Sequence, residues 1–162
     1  MENSLRIVLV APEIPPNTGN VARLSTAVGA HLHLVRPLGF NLDDKHLKRA
    51  GLDYWPEVDL KVHDDFAAFQ ADCAGAPFYL MTTRGNRRHT DVTYEPGSCL
   101  IFGSETRGLP PDILAAWPER RIRLPMRENC RSLNLSNAVA VAVYEVMRQW
   151  DFAGLEPAGA GS

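Results

Sequence analysis

The chain has 162 residues, 45% hydrophobic and 22% charged, enough apolar material for one core of ordinary size and too much for a disordered polymer. A formal net charge of -2 excludes a protein that grips nucleic acid by bulk electrostatics, so any basic surface has to be local. No uninterrupted apolar run approaches the roughly 20 residues needed to cross a bilayer, so no membrane association is expected.

Met-Glu-Asn-Ser-Leu-Arg passes straight into an apolar run, without the basic region, longer apolar segment and cleavage site of an export signal, and a cytoplasmic protein is expected. Leu5 to Val10 is a compact β-branched run that reads as a strand. Pro12 to Asn17 is proline-rich and cannot be helix interior, so a loop is expected there. From Thr18, Val21, Leu24, Ser25 and Val28 recur at helical spacing, and Gly29 offers a stop before a second strand, His31 to Val35. Asp43 to Ala50 reads as a short helix closing at Gly51, and Asp59 to Val62 as a strand. Asp64 or Asp65 can cap a helix carrying Phe66, Ala67, Phe69 and Gln70.

Phe78 to Met81 and Cys99 to Phe102 are short apolar runs of the kind buried on both faces of a parallel sheet, with a polar, arginine-bearing loop between them. Pro111 to Trp117 suggests a short helix and Arg121 to Leu124 a last strand. Leu133 to Trp150 reads as a long helix with Leu135, Val139, Ala142, Val143, Val146 and Met147 as its apolar stripe. Alternating strands and helices imply an α/β fold with a mainly parallel sheet flanked by helices. Residues 1–151 are expected to form one domain and residues 152–162, rich in Gly, Ala and Pro, a mobile tail. Cys73, Cys99 and Cys130 lie far apart, form no CxxC pair and are odd in number, so reduced packing thiols are expected.

In an open parallel sheet, ligands collect beyond the carboxyl ends of the strands, and three loops there are unusual. Asn17-Thr18-Gly19-Asn20-Val21-Ala22-Arg23 follows the first strand. It is not a GxGxxG turn, and no Walker A sequence occurs, which removes the main support for an oxidoreductase or a P-loop enzyme. Phe102-Gly103-Ser104-Glu105-Thr106-Arg107-Gly108-Leu109 follows a buried-looking strand; glycine at 103 allows close backbone approach and Gly108 a positive φ, although a plain turn with a helix cap would use the same residues. Leu124-Pro125-Met126 leads into Arg131-Ser132-Leu133-Asn134-Leu135-Ser136-Asn137-Ala138 at the start of the long helix. Ser132 could simply be its N-cap, while Asn134 and Asn137 are harder to explain by packing. Basic residues cluster at Lys45, Lys48 and Arg49, at Arg84, Arg87, Arg88 and His89, and at Arg120, Arg121, Arg123, Arg127 and Arg131. Such clusters are most often solvated faces.

These three loops, in this order, closely resemble the motifs of the SPOUT superfamily of methyltransferases, in its TrmH-like branch, over nearly the whole chain. Within that branch, Glu13-Ile14-Pro15-Pro16-Asn17-Thr18-Gly19-Asn20, Asp43-Asp44-Lys45, Arg49-Ala50-Gly51-Leu52-Asp53-Tyr54 and Arg131 to Val139 are similar to enzymes that methylate the wobble nucleotide of tRNA. The resemblance implies a C-terminal segment threaded into a deep trefoil knot, S-adenosylmethionine bent within that knot and held largely through backbone groups, and a homodimer. It implies transfer of methyl to the ribose 2'-hydroxyl of cytidine or uridine, with leucine isoacceptors suggested.

On the matching positions, Met81, Gly103, Leu124 and Ser132 are expected against the cofactor, with Thr82, Glu105, Met126 and Asn134 nearby. Arg23 matches the arginine assigned to the catalytic step; because a guanidinium keeps its proton at any working pH, a positioning role for the ribose oxygen or a phosphate suits it better than that of a base. Lys45, Arg84, Arg87 and Arg88 are expected to hold RNA, aided by the second subunit. No metal is required, since the sulfonium already activates the methyl group. Arg127-Glu128-Asn129-Cys130 departs from the family's spacer before Arg131. Two alternatives stand beside this expectation: methylation of another tRNA position or of ribosomal RNA, and a catalytically silent RNA-binding protein. The absence of an added N-terminal RNA-binding domain favours a compact target such as an anticodon loop.

Overall fold

A computed structural model describes residues 4–155 of the chain. Its strands are β1 (Arg6–Val10), β2 (His31–Val35), β3 (Leu60–His63), β4 (Phe78–Met81), β5 (Arg87–Arg88), β6 (Cys99–Phe102) and β7 (Arg121–Arg123). Its α-helices are α1 (Pro15–Val28), α2 (Lys45–Gly51), α3 (Phe66–Asp72), α4 (Pro111–Ala116) and α5 (Leu135–Gln149). The strands form one parallel sheet in the order β3-β2-β1-β6-β4-β7-β5.

Both faces of the central strands are covered, which is why they read as continuous apolar runs instead of alternating ones. Ile7, Leu9, Leu32, Leu34, Leu100 and Phe102 point to one face and pack with Val21 of α1 and Val139, Val143 and Val146 of α5. Val8, Val10, Val35, Leu80 and Ile101 point to the other and pack with Phe69 of α3 and Ile113 of α4. At about 25 cal/mol per Å² of apolar area removed from water, each fully covered Leu, Ile or Val contributes on the order of 1.5–3 kcal/mol to this sandwich.

The expected elements are present, with corrections at their ends. Helix α1 begins at Pro15, three residues before the expected Thr18. A first-turn proline forfeits no intrahelical bond, because those N–H groups have no partner in any helix. A 3-10 segment at Leu52–Glu57, not anticipated, continues α2 around Pro56, and β3 lies one residue later than expected. The last helix is Leu135–Gln149, shorter at both ends than expected, and its N-cap is Asn134, not Ser132. Beyond it, Phe152 donates its N–H to the Met147 carbonyl and Leu155 packs on the core. The expected mobility of the tail concerns mostly residues 156–162, which lie outside the described residues.

The arginine-bearing loop holds the main surprise. Strand β7 lies between β4 and β5, with Met81 and Arg87 both in register with Ile122. The five residues 82–86 therefore cross one face of β7 at that level. A Cβ added to Gly85 would stand 2.3 Å from the Ile122 carbonyl carbon, so only glycine fits where two backbones pass so closely. Thr82 N–H donates to Ile122 O at 2.9 Å, His89 N–H to Arg123 O at 2.8 Å and Arg123 Nη1 to Gly85 O at 2.9 Å, locking the crossing. A two-residue edge strand of exposed arginines has no apolar period to announce it.

Candidate active site

The sheet grows one way through β1, β2 and β3 and the other way through β4 to β7, with β6 between β1 and β4. Ligand crevices in such sheets open at the carboxyl ends of strands near this reversal. Because all pairings are parallel, the ends of β1, β6, β4 and β7 share one side. They carry the loop to α1, then Gly103 to Leu109, then Met81 and Thr82, then Leu124 to Met126.

A polar lattice joins the first two of these segments to the start of α5. Ile14 occupies the N-cap of α1 and has no side-chain oxygen to offer. Glu105, some ninety residues away, serves instead: its Oε1 accepts from Glu13 N–H at 2.8 Å, its Oε2 from Ile14 N–H at 2.9 Å and from Asn17 Nδ2 at 3.2 Å. A carboxylate there also complements the positive end of the helix dipole. Glu13 reciprocates, accepting from the Thr106 N–H at 3.0 Å and hydroxyl at 2.7 Å, and these bonds hold its carboxyl below the usual carboxylate range. Asn17, buried, accepts through Oδ1 from Asn134 Nδ2 at 3.1 Å. Asn134 Oδ1 in turn accepts from Asn137 N–H at 3.1 Å and from the Ser136 hydroxyl at 2.7 Å. Three of the singled-out residues, Asn17, Glu105 and Asn134, are thus bound to one another, and the starts of α1 and α5 are fixed relative to the loop after β6.

Gly103 is buried, and a Cβ there would meet the Gly108 carbonyl carbon at 2.0 Å. Ser104 and Gly108 close the loop by exchanging backbone bonds at 3.3 and 3.0 Å. Leu124 is buried and Met81 partly so, both packed on the α1 and α5 side of the sheet. Thr82 and Met126 are half-buried, while Ser132 is exposed. Arg23 is exposed on a stripe of α1 with Pro16 and Asn20, about 9 Å along the helix axis from Asn17.

The basic residues divide. Arg121 Nε and Nη2 donate to Leu114 O at 2.9 and 2.6 Å, Arg120 lies over the Phe78 ring, and Arg123 braces the crossing, so these three serve the fold. Arg88 forms a two-pronged pair with Asp91, and Arg87 Nη2 donates to Glu119 O at 2.8 Å. Lys45 and Arg84 are exposed. Arg87, Arg120 and Arg121 also line a surface cavity of about 450 Å³ with Tyr79, Asn86, Pro118 and Glu119; none of the expected cofactor residues lines it. The roles of Glu13 and of Glu105 as a remote cap were not anticipated; the one sequence hint was a helix starting at Ile14-Pro15 with no Ser, Thr, Asp or Asn at its cap.

Against models of protein families, residues 4–144 match the SpoU rRNA Methylase family. A protein of Methylovorus glucosotrophus (strain SIP3-4), named tRNA (cytidine(34)-2'-O)-methyltransferase, is 54% identical over 149 residues, 91% of this chain and 97% of the relative. A solved structure described as "Structural insights into the 2-OH methylation of C/U34 on tRNA" superposes with a TM-score of 0.88 at 49% identity, over 92% of this chain and 97% of that one. The SpoU methyltransferase AviRb from Streptomyces viridochromogenes, in complex with the cofactor AdoMet, shares the fold with a TM-score of 0.78 at 23% identity, over 94% of this chain and 63% of that one.

Proposed function

The chain belongs to the SpoU rRNA Methylase family, and from that premise we propose that it methylates the ribose 2'-hydroxyl of the wobble nucleotide of tRNA, cytidine or uridine 34, using S-adenosylmethionine. The observation that carries this reading is likeness at about half of all positions, over nearly full length, to proteins named for or described by that reaction. The alternatives of another tRNA position, ribosomal RNA or a silent RNA-binding protein have no comparable support. As a tRNA-modifying enzyme it would work in the cytoplasm; among the described residues no helix is long and apolar enough to cross a membrane.

The residues at the carboxyl ends of β4, β6 and β7 suit the cofactor: Met81 and Leu124 offer apolar walls for adenine, and Gly103 keeps its loop free of a side chain. S-adenosylmethionine supplies an already activated methyl group, so the protein needs orientation more than further chemistry. Ser132 and the Thr82 and Met126 backbone would complete its holding. Glu105 and Asn134 act by positioning, since their polar atoms bind Glu13, Ile14, Asn17, Ser136 and Asn137. Arg23 would hold the ribose oxygen or a neighbouring phosphate and stabilise negative charge developing there. Lys45, Arg84, Arg87 and Arg88 would meet phosphates, giving salt-dependent binding.

The trefoil knot belongs to this reading. In its support, residues 82–86 cross β7 and the chain returns beyond it as β5, so the segment leaving β7 starts beneath a crossing of its own chain. A homodimer belongs to it as well: Val141 and Tyr144, neighbours on the outer side of α5, are 48% and 46% exposed, and Ile14 and Leu133 expose further apolar surface, which a second copy would cover.

The test is methyl transfer from labelled S-adenosylmethionine to tRNA from cells lacking the enzyme, with mass spectrometry locating the product. Label as 2'-O-methylcytidine or 2'-O-methyluridine at position 34 is expected. Label on another ribose, or on ribosomal RNA alone, would overturn the substrate assignment.

A further inference from the structure

At the opposite edge of the sheet from β4 and β7, His33 of β2, Asp72 at the end of α3 and the following Cys73 bring a nitrogen, a carboxylate oxygen and a sulfur within 4.8 Å of one another. None of these residues takes part in the methyl-transfer site described above. His33 is buried, and its Nδ1 lies 2.8 Å from Nε2 of His63 on β3. The two rings stack at 5.1 Å with 4° between planes, and Phe69 sits edge-on to both. In the tautomer where Nδ1–H of His33 donates to Nε2 of His63, the Nε2 lone pair of His33 is available and its ring orientation is fixed. A histidine that ligates a metal is ordinarily held in this way, its second nitrogen bound to an acceptor. Asp72 Oδ1 accepts from Lys61 Nζ at 2.6 Å, which leaves Oδ2 for another partner. Cys73, half-buried, forms no disulfide.

We infer that His33, Asp72 and Cys73 form a binding site for a single zinc-class divalent cation, separate from the chemistry of methyl transfer. One imidazole, one carboxylate and one thiolate make a borderline-soft set that suits zinc over calcium or magnesium, which prefer oxygen. The charges close: a dication meets one thiolate, one carboxylate and a neutral imidazole. The thiol proton of Cys73 leaves to solvent as the sulfur–metal bond forms. Metal–ligand distances of about 2.0–2.3 Å place tetrahedral donors roughly 3.4–3.7 Å apart, so the present spacing needs only a small inward shift, with water as fourth ligand. Such an ion ties the end of α3 to β2, at a sheet edge where β3 has a partner on one side alone.

The test is titration of cobalt(II) into the chelator-treated, full-length protein. Expected are one equivalent bound, visible bands of tetrahedral intensity and a near-ultraviolet thiolate-to-cobalt band, all displaced by zinc(II). Cys73→Ser should remove the near-ultraviolet band while Cys130→Ser, at an exposed thiol that is not part of the cluster, leaves it. Should Cys73→Ser fail to fold, Asp72→Asn at an exposed position serves instead and should weaken cobalt binding at least about tenfold. No band in the wild type, a band that persists in Cys73→Ser or disappears in Cys130→Ser, or unchanged affinity in Asp72→Asn, would overturn the site.

Discussion

Arg23 stands on the solvent-facing stripe of α1 beside Asn20, while Asn17, about one and two-thirds turns earlier, is buried in the lattice that fixes the helix start. The helix therefore carries this arginine on a rigid base, as the proposed positioning of a ribose oxygen requires. Arg23→Ala should lower methyl transfer by about two to three orders of magnitude, the range for loss of one donor to developing negative charge. Calorimetry should find S-adenosylhomocysteine binding nearly unchanged; unaltered turnover would remove Arg23 from the mechanism. Asn17, Glu105 and Asn134 were singled out from sequence as polar residues in segments that follow apolar strands, and the structure joins them in one lattice. Their division of labour was not legible in the sequence. The oxygens of Glu105, expected near the cofactor, accept from Glu13, Ile14 and Asn17, partners that sequence separation hides.

At the scale of elements, the start of α1 depends on a loop ninety residues away. Glu105→Gln keeps the shape but turns one acceptor into a donor facing N–H groups of Glu13, Ile14 or Asn17. A loss of about 1–3 kcal/mol is expected, the cost of leaving part-buried donors without an acceptor. Denaturant titration would measure it, and hydrogen exchange should quicken at Glu13, Ile14 and Asn17 before the rest of α1. The segment after β5 permits a pH test. Burial pushes His89 below its ordinary 6.5, against the opposing pull of Glu145, the Arg123 backbone and Asp91. The folded state thus favours neutral imidazole. Its contribution is intact above about pH 7 and is lost as pH falls through the ordinary histidine range, where the unfolded chain takes up the proton more readily. His89→Asn should narrow the gap to wild-type stability between about pH 7.5 and pH 5.5; a gap that widens on acidification would contradict the sign.

For the whole molecule, the exposed Val141 and Tyr144 on α5 predict self-association. Tyr144→Lys should shift the protein toward monomer in light scattering and reduce tRNA methylation with it, while leaving the thermal midpoint within a few degrees, because a half-exposed side chain contributes little to the core. A monomeric wild type would discard that surface. The sequence by itself determined the α/β class and, among the described residues, the five α-helices and six of the seven strands, since those follow from apolar period, strand-length runs and local breakers, which are properties of neighbours along the chain. Only the tertiary structure decided that β7 lies between β4 and β5, that Gly85 lets residues 82–86 cross it, that Glu105 caps α1 and that His33 meets Cys73. Each of these depends on segments tens of residues apart meeting at a few ångströms, and hydrophobic period constrains which face is buried without saying which strand lies beside which.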